Sequence, residues 1–157
     1  MLDLFSVVAN DPPTITITMP INAIDHRPNA ISNEKIKIDF KRKAIQVEVN
    51  VADFIDHGHV VAYVPSLDIS AYGPTRAEAF KMLFKEVLTD FFENLLKLPE
   101  AEVSRELAKH GWKRGNILRK NYSNNAFVDA KGILQNFNLP SDTQISISHH
   151  EDQLIAA

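Results

Sequence analysis

The run TRAEAFKMLFKEVLTDFFENLLK, Thr75 to Lys97, decides the fold of this chain. Thr75 followed by Glu78 is a capping box, in which the threonine oxygen and the glutamate carboxylate satisfy amides that a first helical turn leaves unpaired. Two apolar rows then run at intervals of four: Ala79, Leu83, Val87, Phe91, Leu95, and beside them Phe80, Phe84, Leu88, Phe92, Leu96. Neighbouring rows lie about 100° apart on a helix, so this apolar face is wider than packing on one sheet requires. Lys81, Lys85, Thr89, Glu93 and Lys97 mark the solvent side. The surplus width needs a second cover. The C-terminal third of the chain is the first choice for it, and a second subunit is the alternative.

Upstream of this helix the period changes from helical to two. Thr14 to Met19 alternates strictly between Pro12-Pro13 and Pro20 and reads as a strand; Ile21 to Asn33 has no period and reads as a loop. In Glu34 to Phe40, residues Ile36, Ile38 and Phe40 share one side and Lys35, Lys37 and Asp39 the other. Ala44 to Val51 repeats the pattern, with Ile45, Val47, Val49 and Val51 inward. Asp53 to Gly58 reads as a polar turn, His59 to Val64 as the returning strand, and Asp68 to Tyr72 as a short extended piece.

Downstream, Pro99 and Glu100 open a second helix that runs to His110 and stops at Gly111 in a left-handed cap. Trp112 to Tyr122 fits strand and helix equally. Ala126 to Phe137 reads as a short helix, Pro140-Ser141-Asp142 as a turn, and Thr143 to His149 as a final strand, with Glu151 to Ala157 fraying. The two Thr/Ser-rich strands, Thr14 to Met19 and Thr143 to His149, have the character of sheet edges. Pairing with each other is the preferred arrangement, and pairing across a homo-oligomer the other.

Composition narrows the function classes. Hydrophobic residues make up 45% and charged residues 24% of 157 residues, as in ordinary globular chains. A net charge of −3 argues against a surface covered in nucleic-acid contacts while leaving room for a local basic patch. With no cysteine, disulfides and thiolate metal sites are excluded. No segment reaches the roughly 18 uninterrupted apolar residues of a membrane span, and Met1 to Ala9 lacks the basic start of a secretory signal. The expectation is a cytoplasmic protein with no membrane contact.

Gly58, Val61, Ala62, Tyr63, Val64, Pro65, Ser66 and Leu67, followed by Gly73, Pro74, Thr75, Glu78 and Ala79, make a further pattern. It consists of a polar hairpin turn, a strand ending in a proline-leucine segment, and a Gly-x-Thr-x-x-Glu-Ala helix start. From Val47 to about Leu96, roughly a third of the chain, the sequence resembles the HicB-like antitoxin domain. In physical terms Gly73 frees the backbone to turn, Thr75 caps the helix, and Ala79 is small enough to let it lie close to a sheet. The resemblance implies a small antiparallel sheet backed by one long helix, a partial RNase H-like fold. It also implies a protein partner, a small HicA-type RNA-cleaving toxin neutralised by direct contact, which places the contact on Tyr63, Pro65, Leu67 and Tyr72. The chain departs from the family pattern in Asp68-Ile69-Ser70-Ala71, where a small pair is usual, and in the two strands that precede the module.

Other chemistries find weaker footing. Asp53, Asp56, Asp68, Glu86 and Asp90 are available for Mg²⁺, yet no acid takes an inward-facing strand position in this reading, so a carboxylate cluster is not expected. His57 and His59, and His149-His150, are read as structural or exposed histidines rather than metal ligands. Ser66, Ser70 and Ser104 lack the glycine-flanked elbow of a nucleophile. The basic run Arg105, Lys109, Lys113, Arg114, Arg119 and Lys120, set against the single acid Glu106, is the alternative functional surface, a nucleic-acid contact used in transcriptional autoregulation. The sequence therefore predicts an α+β fold: residues 1–98 form a sheet-and-helix core with extra N-terminal strands, and residues 99–157 a smaller C-terminal α/β extension packing on it. The function expected is partner binding, with no catalytic residue, metal or cofactor.

Overall fold

A computed structural model describes residues 16–19, 34–115, 121–124 and 130–155. The fold is α+β: eight strands form one sheet, every adjacent pair antiparallel, with helices on both faces. The strands are β1 (Thr16–Met19), β2 (Glu34–Asp39), β3 (Ala44–Asp56), β4 (His59–Val64), β5 (Ile69–Gly73), β6 (Lys113–Arg114), β7 (Asn121–Asn124) and β8 (Ile145–Ile155). Helix α1 comprises Arg76–Met82, a π-helical turn Leu83–Val87, and Leu88–Leu96. Helix α2 is Glu100–Ala108 and α3 is Ala130–Asn136. The expected loop at Ile21 to Asn33 lies outside the described residues, as do Arg119 and Lys120.

Strand β3 organises the sheet. Along one edge Ala44 to Asp53 pair with Ile155 to Ser146 of β8. The other edge is divided: β2 takes Ala44 to Glu48 and β4 takes Ala52 to Asp56. Beyond β8 lies β1, with Thr16 opposite Ser148, so the two Thr/Ser-rich strands pair within one chain as expected. β7 and β6 extend the sheet beyond β2.

Alternation explains the two cores. Ile45, Val47, Val49 and Val51 face α1 and α2, joined by Ile36, Ile38, Ala62 and Val64. Ala52, Phe54, Val61 and Tyr63 point the other way and meet Ala130, Ile133 and Leu134 of α3, with Ile145. The C-terminal third was expected to cover the second row of α1. Val103 and Leu107 of α2, with Trp112 and Tyr122, do join the core of α1, whereas α3 covers the opposite face of the sheet.

Three local expectations need correction. Asp53 to Asp56 continue β3, and the turn is only His57-Gly58, both left-handed (φ 50° and 79°), the two-residue geometry that fits strand twist. The last strand does not fray after His149 but pairs through Ile155, because ten consecutive residues of β3 offer it a partner. Gly73 is required for a different reason than turning: a Cβ there would stand 2.9 Å from the Ala79 nitrogen, against the first turn of α1. The segment from Trp112, left open between strand and helix, enters the sheet as β6 and β7 where it is described.

The threonine half of the capping box and the glycine stop hold, while the Glu78 carboxylate makes no return bond among the described residues. Thr75 Oγ1 accepts the Glu78 N–H at 3.2 Å, and Gly111 is left-handed (φ 89°) after α2. At the far end of α1, Lys43 Nζ donates to the Leu96 carbonyl at 2.8 Å, a charged cap supplied from the β2–β3 turn. None of the described helices is long and apolar enough to cross a membrane.

Candidate functional site

The β3–β4–β5 end of the sheet carries the residues singled out for partner contact. Tyr63 is only 4% exposed, because it alternates onto the α3 face. Its ring meets Phe137 edge-on at 4.9 Å and its hydroxyl donates to Asp68 Oδ1 at 2.9 Å. Burial, then the bond to the Asp68 carboxylate, pushes the phenol up to about 12. Leu67 is buried in the α1 core. Pro65 is half-buried in the tight turn that Leu67 N–H and the Val64 carbonyl close at 3.2 Å. Tyr72 alone is presented, at 69% exposure, with the His59 ring edge-on to it at 6.3 Å. Among the described residues β5 pairs only with β4, and no described strand lies along its outer edge.

Charge marks the same end. From Ala44 to Thr75 there is no lysine or arginine, while Glu48, Asp53, Asp56 and Asp68 are present. The structure overturns the expectation that no acid faces inward. Glu34 and Asp53 are both buried. Glu34 sits where β2 and β4 part company along β3: its Oε2 accepts the Asn50 N–H at 3.0 Å and the Ser66 hydroxyl at 2.7 Å. Trp112 Nε1 donates to the Ser66 carbonyl at 2.7 Å, closing the fork. Burial raises the Glu34 carboxyl above its ordinary range against both hydrogen bonds. Asp53 pairs with Arg76 at 3.3 Å and is likewise raised by burial, the guanidinium opposing it. The two acids serve separate partners and do not form a pair.

The histidines are separated by the alternation of β8. His149 Nδ1 donates to Asn50 Oδ1 at 2.8 Å, with Nε2 3.5 Å from Glu48. His150 points to the other face, between the rings of Phe80 and Phe84, each 5.2 Å away, and shares a hydrogen bond of 2.7 Å with Ser148. Burial, then the charges of Arg76 and His149, bring the His150 imidazole down to about 4. This serine–histidine pair escaped the sequence reading, although the Ser-x-His spacing on one strand face was visible. Ser148 is fully buried in mid-strand, between Thr16 and Val51, and cannot meet a substrate. His57 lies exposed beside Asp56 at 2.8 Å. Among the described residues no group of three or more histidine or acidic side chains is placed to hold a metal ion.

Three of the four described cations of the basic run are paired with acids of α2. Arg105 pairs with Glu102, Lys109 with Glu106 at 2.7 Å, and Arg114 with Glu100 at 3.5 Å. Two of these acids precede the run and were left out of its charge balance. Lys113 stands exposed on β6. Ser66 and Ser104 are engaged structurally, the latter with the Tyr122 hydroxyl at 2.8 Å. Compared with known proteins, the chain matches no family, no curated protein and no solved structure.

Proposed function

We propose that this chain is a non-catalytic protein-binding module of the HicB-like kind, docking its partner along the outer edge of β5 around Tyr72. The observation that carries the reading is that outer edge, with no described strand along it. An unpaired strand offers a row of backbone donors and acceptors to an incoming strand, and an exposed tyrosine supplies the anchor such interfaces concentrate their energy in. The lysine- and arginine-free stretch around it, with Asp56 and Asp68 at its corners, favours a basic partner. A small HicA-type toxin is the partner that the family resemblance implies. The nucleic-acid alternative through Arg105 to Lys120 is not favoured, since three of those cations are held by acids of α2.

The test is capture of partners from native extract with tagged protein, with and without nuclease, read by mass spectrometry. A small basic protein recovered stoichiometrically and resistant to nuclease is the expected result. Tyr72→Ala, exposed and so silent in thermal melting, should weaken that capture about 10-fold, the effect of losing an aromatic anchor. Full retention by the variant would move the contact elsewhere. Recovery of the chain alone would remove the antitoxin-like reading.

A further inference from the structure

The half of the sheet face away from α3 carries a group of exposed lysines on β2, β6 and the β2–β3 turn. Lys113 lies opposite Ser123, and Ser123 opposite Lys35, so these three side chains form one cross-strand row on β6, β7 and β2. Lys37 follows two residues along β2, on the same face. The two lysines of β2 are thus about 7 Å apart, and Lys35 and Lys113 about 10 Å. Both rows are exposed, as is Lys41 in the adjoining turn, and none of these four lysines forms an ion pair with a described residue. Lys35 stands opposite Glu48 of β3, while the cross-strand neighbours of Lys37 and Lys113 are the neutral Gln46, Asn121 and Ser123, so the track keeps an excess of positive charge.

Next to the lysines the surface opens into a groove of about 650 Å³, with Lys37 and Lys41 on its wall beside Phe40 and Asn121. Asp39, which pairs with Arg42, is the one acid on that wall among the described residues. Across β3 the sign reverses. Glu48 and Glu151 stand opposite each other and share a hydrogen bond that raises the Glu151 carboxyl, fencing the basic track on that side.

We propose that this face, with Lys35, Lys37, Lys41 and Lys113, binds the sugar-phosphate backbone of single-stranded RNA, the groove taking a base or ribose. Lysine meets phosphate as a point charge and gives affinity without sequence. An acidic protein is the poorer occupant, because lysine is depleted from protein interfaces and, among the described residues, this face presents no exposed tryptophan or tyrosine to anchor one. The groove is of ligand size. The surface is distinct from the β5 edge and shares only Lys113 with the basic run of the sequence.

The test is fluorescence anisotropy of a short labelled oligouridine with the full chain. Four phosphate contacts on a single strand predict an affinity loss of about 50-fold between about 50 mM and 200 mM salt. The double variant Lys35→Gln/Lys37→Gln should bind more weakly, with a loss of about 7-fold over the same range, because two contacts remain. Circular dichroism melting checks that it folds, and Lys113→Gln gives an independent variant with an intermediate slope. Tyr72→Ala and Arg105→Gln should leave binding unchanged. Absence of binding at the lower salt would overturn the proposal, as would an unchanged slope in the double variant. Displacement of the RNA by polyglutamate at equal charge would overturn it in favour of an acidic protein.

Discussion

Two buried titratable residues pull the stability of the protein in opposite directions with pH. His150 is held near 4 in the folded chain against 6.5 for a free imidazole. The folded state therefore binds fewer protons than the unfolded one between those values. Its contribution is present above 6.5 and is lost as pH falls toward 4, by about 3 kcal/mol at the limit. Glu34 works the other way. Its raised carboxyl makes the folded state the better proton acceptor, so its contribution is present below 4.5 and lost as pH climbs through the folded value. Thermal melts from pH 4 to 8 should show His150→Gln flattening the acid limb, while Glu34→Gln gains on the parent as pH rises. Identical pH profiles for parent and variants would sink the assignment. Both residues were in phase with buried neighbours on their strands, Glu34 with Ile36 and His150 with Ser148. What the sequence did not reveal was their cover, which comes from distant segments: Ser66, 32 residues from Glu34, and the Phe80 and Phe84 rings on α1.

At the scale of elements, the excess apolar width of α1 has a geometric resolution. The fully buried stripe runs Ala79, Phe80, Leu83, then jumps five positions to Leu88 and continues through Phe92, Leu95 and Leu96. The π-turn between Leu83 and Val87 makes that jump, and Thr89 Oγ1 reaches the Phe84 carbonyl across five residues at 3.2 Å. Val87 and Phe91, which a regular helix would keep in the first row, are half-buried instead. Removing the exposed Glu86 turns the five-residue step into an ordinary four-residue one, and the stripe stays continuous. Such a deletion should change stability by about 1 kcal/mol or less in a urea melt. A large loss would mean that the π-turn itself is needed. Helix ends and alternating strands were legible because capping and period are local. The length of β3 was not, because Asp53 and Asp56 read as turn residues until β4 and β8 are known to pair across them.

For the molecule as a whole, β3 is the strand with the most partners, pairing β2, β4 and β8. The β2 and β4 hairpins divide one of its edges, and β8 takes the other from about a hundred residues downstream. A chain truncated before Ile145 should lose cooperative unfolding and elute as aggregates in size exclusion. It would lack both the long pairing and the Ile145 side chain that joins the α3 core. A monomeric, cooperatively melting truncation would contradict that. The same connectivity sets an order of events during synthesis. Both hairpins emerge early and can dock α1 at once, but the thirteen residues of β3 then wait with one side unpaired until β8 has left the ribosome. For that interval the nascent chain displays a long apolar strand edge to whatever other chains surround it, and neighbouring copies on one message would be the first to find it.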